Sequence, residues 1–103
     1  MNIWLEISAC TEDGPSILLD HRVVQEIPAL SDVLSAAENA NSNKQTSGLW
    51  DYSSRIRKDE SDRIRNAIEF AKKSEDARSM IFSADVSYRD TCYSLRLFFE
   101  KSQ

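Results

Sequence analysis

The chain has 103 residues, of which 41% are hydrophobic and 29% are charged, with a formal net charge of −4. This length excludes two domains of ordinary size, so we expect a single domain over residues 1–103. The negative charge disfavours a phosphate-backbone partner, and no apolar run approaches the ~20 residues of a membrane-spanning helix.

The first nine residues alternate between apolar and mostly polar side chains. Ile3, Leu5 and Ile7 fall on one face, and this period of two over residues 1–9 predicts a half-buried strand. A Gly-Pro pair at positions 14–15 then predicts a turn.

Two helices are predicted next. Residues 16–27 fit a helical stripe through Leu19, Val23 and Ile27, but they also fit one face of a strand. We favour the helix, with Pro15 near its first turn. Residues 28–39 begin with proline and repeat apolar side chains at i, i+3, i+4 and i+7, which predicts a second helix.

The middle of the chain is more polar. Residues 41–54 are predicted to form a polar surface loop, which is interrupted by Leu49-Trp50-Asp51-Tyr52. Residues 59–75 place Ile64 and Ile68 on one helical face, with acids at the start and lysines near the end, as the helix dipole favours. A helix that begins as early as Ser53 is an alternative.

The last part of the chain predicts a hairpin of two strands, 79–88 and 91–100. Each run alternates, and a tight turn at positions 89–90 places apolar residues opposite one another. A four-residue loop over 88–91 gives the same register. The predicted pairs are Met80–Phe99, Phe82–Leu97, Ala84–Leu95 and Val86–Tyr93.

These elements predict an α+β fold. We expect an antiparallel sheet of at least three strands (1–9, 79–88 and 91–100), with two or three helices packed on one face (28–39, 59–75 and, in the helical alternative, 16–27).

No catalytic centre is predicted. The one histidine, His21, has no spacing to Cys10 or Cys92 that suggests a nucleophile pair or a metal site. The cysteines are expected to be free thiols in a reducing cytosol, and a Cys10–Cys92 bridge is the alternative because both lie near predicted strand ends. The isolated glycines suggest no nucleotide cradle, so we expect no cofactor, no metal and no enzymatic activity.

One cluster of basic residues is compatible with nucleic-acid binding. Basic side chains near Trp50 and Tyr52 could form a platform for a single strand. Acids are interleaved with them, which favours ion pairs within a helix such as Asp59–Arg63. The basic residues are Arg55, Arg57, Lys58, Arg63 and Arg65.

Negative charge is concentrated in the first half of the chain. Residues 1–52 carry eight acids and two bases, a net charge of −6, whereas residues 53–103 carry +2. Such charge favours a basic partner, although solubility is the alternative explanation.

Aromatic residues beside acids are typical of protein–protein interfaces. The alternative for Trp50 and Tyr52 is that they cap the core from their loop. The candidate partner-binding residues are Glu12, Asp13, Asp51 and Asp85 for charge, with Trp50, Tyr52 and Tyr88 as anchors.

The N-terminal residues lack the basic leader of a signal peptide, and position 6 is an acid. We therefore expect the chain to stay in the cytoplasm. In length, acidity, α+β pattern and absence of a catalytic motif, the chain resembles the small acidic immunity proteins that bacteria keep against polymorphic or contact-dependent toxins. The resemblance implies that a monomer binds a basic toxin domain, often a nuclease, and covers its substrate site. A dimeric secretion-type chaperone or adaptor is the alternative.

Overall fold

The computed structural model describes residues 2–10, 16–42 and 51–101, and for residues 41–42 the backbone alone. Within this part the chain forms six strands and three helices, which confirms the predicted α+β class. In chain order they are β1 (Asn2–Ala9), β2 (Ile17–Leu18), α1 (His21–Glu26), α2 (Pro28–Ser42), β3 (Asp51–Ile56), α3 (Lys58–Ala67), β4 (Ala71–Glu75), β5 (Ser79–Tyr88) and β6 (Thr91–Glu100).

The strands form one mixed sheet in the order β2-β5-β6-β1-β3, with β4 also paired to β5. The β2–β5 pair is parallel, and the other pairs are antiparallel. The predicted register of the β5–β6 hairpin is confirmed at all four apolar pairs. Arg89 and Asp90 form a two-residue turn with φ of 50° and 63°, the left-handed pair that this tight connection requires.

The helices pack on one face of the sheet, as predicted. The apolar stripe of α2, which includes Leu30, Val33 and Leu34, is fully or almost fully buried against the inward side chains of the strands. Helix α3 lies on the same face, because its Ile64 is buried in this core and its Arg65 guanidinium lies over the inward Phe82 ring. No helix in the described part of the chain is long and apolar enough to span a membrane.

The prediction of a helix over residues 16–27 was wrong for its first part. Ile17 and Leu18 pair in parallel with β5, and α1 begins at His21. The Asp20 carboxylate accepts a hydrogen bond from the Arg22 N–H at 2.9 Å, which caps the new helix at that point. Within this segment the structure therefore has a strand at residues 17–18 and a helix at residues 21–26 only.

Two further boundaries were also wrong. Residues 51–54 are not loop, since they belong to the edge strand β3, which extends into the stretch where an early helix start was considered. The helix predicted over 59–75 ends at Ala67, and Ala71–Glu75 forms β4, whose five residues are all exposed. Both are polar edge strands, which are stabilised by backbone pairing with a neighbour and lack the apolar alternation that identifies a half-buried strand.

The expectation of free thiols was wrong, because Cys10 and Cys92 form a disulfide with their Cα atoms 5.6 Å apart. The β1–β6 register runs from Asn2–Glu100 to Ala9–Tyr93, so the two cysteines occupy the next opposed positions. Antiparallel pairing therefore brings together residues separated by 82 positions in the chain.

Candidate functional site

The face of the sheet opposite the helices, here called the open face, carries a row of side chains with an acid at each end. Ser8 pairs with Asp51 of β3 and Ser94 of β6, and Ser94 pairs with Asp85 of β5. Directly paired residues project to the same face, so these four residues form one row, the acidic row. With strands about 4.8 Å apart, the two aspartates lie about 14 Å from each other.

Both aspartates of the acidic row are accessible to solvent. Asp51 and Asp85 are exposed, and neither forms an ion pair within the described residues. The two residues between them are partly exposed serines, whose hydroxyl groups can donate and accept hydrogen bonds. The row therefore offers negative charge at both ends and neutral polar groups in the middle.

The next row of the open face is electrically balanced. Glu6 of β1 pairs with Arg96 of β6, and their side chains form an ion pair at 3.5 Å. Ser53 and Ser83 flank this pair on β3 and β5. This middle row separates the acidic row from the third row and adds little net charge.

The third row is apolar at its centre and was missed as a functional candidate by sequence reasoning. Trp4 of β1 pairs with Phe98 of β6, which pairs with Ile81 of β5, and we call these three the apolar row. All three are partly exposed. The signal was a tryptophan on the otherwise polar side of β1 and an apolar pair on the outer side of the hairpin.

A groove of 650 Å³ opens at the β5 side of the open face, where β2 and β4 flank the outer edge of β5 at different heights. Its walls carry both signs of charge, from Asp85 and Glu69 on one hand and from Lys73 and Arg96 on the other. The groove therefore places Asp85 at the wall of a concave surface.

The structure divides the predicted partner-binding residues. Asp51 and Asp85 come together on the open face, whereas Tyr52 lies one position along β3, on the helix side of the sheet, and is 44% exposed. Glu12, Asp13 and Trp50 lie outside the described residues.

The expectation that Tyr88 is an exposed anchor was wrong, because it is 5% exposed. Its hydroxyl group is hydrogen-bonded to Nδ1 of His21 at 2.6 Å, and the Arg89 guanidinium lies 5.2 Å from its ring centre. Arg89 in turn forms an ion pair with Glu38 of α2 at 3.6 Å. Tyr88 therefore joins the hairpin to the helix layer instead of facing a partner.

Much of the predicted basic cluster is used within the chain. Asp59 pairs with Arg57 and not with Arg63, which was the predicted partner. Each contact places positive charge beside a neighbouring group of the same chain, although the Arg57 and Lys58 side chains stay largely exposed. The contacts are Arg57 with Asp59 and Glu60 at 3.3 and 3.4 Å, Lys58 with Asp62 at 3.2 Å, and Arg65 over the rings of Phe82 and Phe99.

Two carboxyl groups with shifted pKa values lie at the β4–β5 turn. Backbone N–H groups of Arg78 and Ser79 donate to Asp76 and lower the pKa of its carboxyl group. The ammonium group of Lys72, which is hydrogen-bonded to Glu75, lowers the pKa of Glu75. Neither residue belongs to the rows of the open face, so these pKa shifts reflect hydrogen bonds within the turn and not a binding site.

Within the described residues, no three histidine, cysteine or acidic side chains are grouped closely enough to hold a metal ion. The disulfide also leaves neither cysteine as a thiolate nucleophile while it is formed. The chemistry that the described side chains offer on the open face is that of recognition by charge, hydrogen bonding and apolar contact.

No family model, no curated protein and no solved structure matches the chain.

Proposed function

We propose that this chain is an immunity protein that binds a cognate basic toxin domain, of the nuclease type, and covers its substrate site. The observation that carries the proposal is the acidic row. Asp51 and Asp85 lie at its two ends, exposed and without an ion pair in the described part of the chain. Two negative charges about 14 Å apart complement a cleft whose basic side chains are spaced to bind phosphates.

The charge distribution supports the choice of the open face. Some acids elsewhere are compensated by bases of the same chain, as in the Glu38–Arg89 and Asp62–Lys58 pairs. Charge that is already paired contributes little to attracting a partner, whereas uncompensated charge raises the association rate with a partner of opposite sign. The acidic row is thus a surface on which uncompensated negative charge remains available, from Asp51 in the first half of the chain and Asp85 in the second.

Location of the chain in the cytoplasm is part of the same proposal. An inhibitor made as a monomer in the cytoplasm would meet an incoming nuclease before that enzyme reaches nucleic acid. The Cys10–Cys92 disulfide weighs against a reducing cytosol, because structural disulfides persist mainly in oxidising compartments. The redox state of this pair in intact cells, measured by alkylation before lysis, therefore tests the cytoplasmic placement directly.

The alternative, a dimeric secretion-type chaperone or adaptor, draws on the position of β3 at the edge of the sheet. An edge strand can pair with a segment of another chain. Light scattering on the purified protein separates the two proposals, because a stable dimer favours the chaperone and a monomer favours the immunity protein.

The test uses the basic domain encoded by the gene immediately upstream, purified in an inactive form. We expect binding by the wild-type chain, and association about tenfold slower for Asp51→Lys or Asp85→Lys at low salt. Asp32→Lys is the matched control, since it makes the same charge change at an exposed position of α2, away from the open face.

Equal effects of all three charge reversals would show that net charge alone matters and would reject the acidic row as the site. A gene neighbourhood that encodes no basic domain, or a basic domain that does not bind, would count against the proposed function itself. Growth protection provides a test in cells: co-expression of the wild-type chain with the active basic domain should rescue the host.

A further inference from the structure

The apolar row gives the open face a second chemical character beside charge. Trp4, Phe98 and Ile81 occupy paired positions on three adjacent strands, so their side chains form one contiguous apolar strip. Each of the three side chains is partly exposed. A contiguous apolar strip that solvent reaches commonly marks an interaction site, and aromatic side chains dominate the binding energy of such sites. The strip lies on the same face as the acidic row.

The distance between the rows defines what a partner must present. Residues on one face of a strand are two positions apart, so successive rows lie about 7 Å apart and the apolar and acidic rows about 13 Å apart. The balanced Glu6–Arg96 pair occupies the row between them. A partner that contacts both outer rows therefore needs basic side chains at that distance from an apolar contact.

The arrangement favours docking on the flat face over pairing at the edge. A strand added beside β3 would lie next to Asp51, but β3, β1 and β6 would lie between it and Asp85 on β5. Such a strand would also be kept from the apolar row, because Arg55 of β3 lies between Trp4 and that edge. The Arg55 guanidinium donates a hydrogen bond to the side chain of Asn2 at 2.7 Å. Contact with both ends of the acidic row therefore requires an occupant wider than one strand.

Resting on the proposed function above, we infer that the apolar row is the energetic anchor of the interface. The occupant is a folded basic domain that lies flat across β3, β1, β6 and β5, with an apolar ridge on the apolar row and basic side chains on the acidic row. The two rows then have different kinetic roles: the acidic row accelerates association, and the apolar row slows dissociation.

The experiment measures association and dissociation rates with the same upstream-encoded basic domain as probe, at low and high salt. For Trp4→Thr and Phe98→Thr we expect dissociation at least ~30-fold faster, by about the same factor at low and high salt, and association within about threefold of wild type. Threonine is chosen because it is well tolerated in strands. For Asp51→Lys and Asp85→Lys we expect the reverse pattern: association is slower and depends on salt, whereas dissociation changes little.

An exposed apolar residue outside the row serves as the matched control. Leu18 on β2 is 80% exposed, so Leu18→Ser removes apolar surface away from the apolar row. This variant should dissociate within about threefold of the wild-type rate. Far-UV circular dichroism and melting temperature confirm that each variant is folded.

A second readout needs no change in the apolar row. In a Trp50→Phe background Trp4 is the one remaining tryptophan. Binding should shift its emission to shorter wavelength and protect it from acrylamide quenching.

The possible results separate the inference from the proposed function. A wild-type complex whose dissociation is unaffected by both threonine variants, with no change in Trp4 emission, overturns the anchor and leaves the function standing. Failure of the wild-type chain to bind the basic domain overturns both.

Discussion

The hydroxyl group of Tyr88 lies 2.6 Å from Nδ1 of His21, and the two rings stack with an interplanar angle of 13° and centroids 6.1 Å apart. Tyr88 is the last residue of β5 and is 5% exposed, whereas His21 is the first residue of α1 and is exposed. The contact joins the end of the hairpin to the helix layer across 67 positions of sequence.

Removal of this hydrogen bond should destabilise the fold. For Tyr88→Phe we expect the free energy of unfolding to fall by about 1 kcal/mol, because the hydroxyl is lost while the buried ring remains. His21→Ala in both backgrounds completes a double-mutant cycle, with an expected coupling energy of about 0.5–1.5 kcal/mol. Urea denaturation measures all four proteins, and a coupling near zero would show that the contact has no energetic weight.

The Cys10–Cys92 disulfide should be a major source of stability. It closes a loop spanning a sequence separation of 82, and loop closure reduces the entropy of the unfolded chain. We expect the Cys10→Ser/Cys92→Ser double variant to lose about 2–4 kcal/mol of unfolding free energy, measured by urea denaturation without reductant.

A reductant provides the control for the disulfide. Dithiothreitol should lower the stability of the wild-type protein to about that of the double variant, and it should leave the double variant unchanged. If oxidised wild type and the double variant unfold at the same urea concentration, the bridge does not contribute the predicted stability.

Ser61 has a hydroxyl group that is fully buried and has no hydrogen-bond partner among the described residues. An unsatisfied buried hydroxyl destabilises a fold, and alanine also has the higher helix propensity. We therefore expect Ser61→Ala to raise the unfolding free energy by about 1 kcal/mol.

Ser35→Ala separates the two contributions, since Ser35 is exposed on α2 and reports the change in propensity alone. Thermal or urea unfolding should show a larger gain for Ser61→Ala than for Ser35→Ala. A smaller gain at position 61 would mean that the Ser61 hydroxyl is satisfied in solution.

Asp76 should make the stability of the β4–β5 turn depend on pH. Hydrogen bonds from the Arg78 and Ser79 N–H groups hold its pKa below the ordinary value of 3.8. A carboxyl group whose pKa is lower in the folded state stabilises the fold above its unfolded-state pKa. That contribution is lost as the pH falls below about 4 and through the folded-state pKa.

Asp76→Asn tests this sign. We expect the variant to melt at a lower temperature than wild type at pH 7, and the difference to shrink toward pH 2 as wild-type Asp76 becomes protonated. Asp85→Asn provides a comparison at an exposed carboxylate outside the turn. A difference between Asp76→Asn and wild type that grows toward low pH would contradict the assignment.

The sequence was informative for segments that bury one face, because burial of one face leaves a periodic pattern of apolar residues in the segment itself. Alternation over residues 2–9 and the paired alternation of β5 and β6 predicted three strands and the hairpin register, because one face of each strand is buried. The stripe of α2 was recognised for the same reason. Edge strands β3 and β4 were missed, because their polar sequences contain little trace of the neighbour with which they pair.

The candidate site was predicted in part. The sequence identified Asp51 and Asp85 as separate acidic residues, but not that they share a row, because Asp51 was assigned to a loop. The prediction that Tyr88 lies beside the hairpin turn was correct, but the prediction that it is exposed was wrong. Its hydrogen-bond partner His21 lies on a helix that is far away in the sequence.

By itself, the sequence determined the α+β class, the segments with one buried face and the local hairpin, because these follow from periodicity within a few consecutive residues. Only the tertiary structure decided the Cys10–Cys92 bridge, the burial of Tyr88 and the three rows of the open face. Each of these depends on which strand lies beside which and in what register, and that choice is made by long-range pairing and shared burial between segments far apart in the chain.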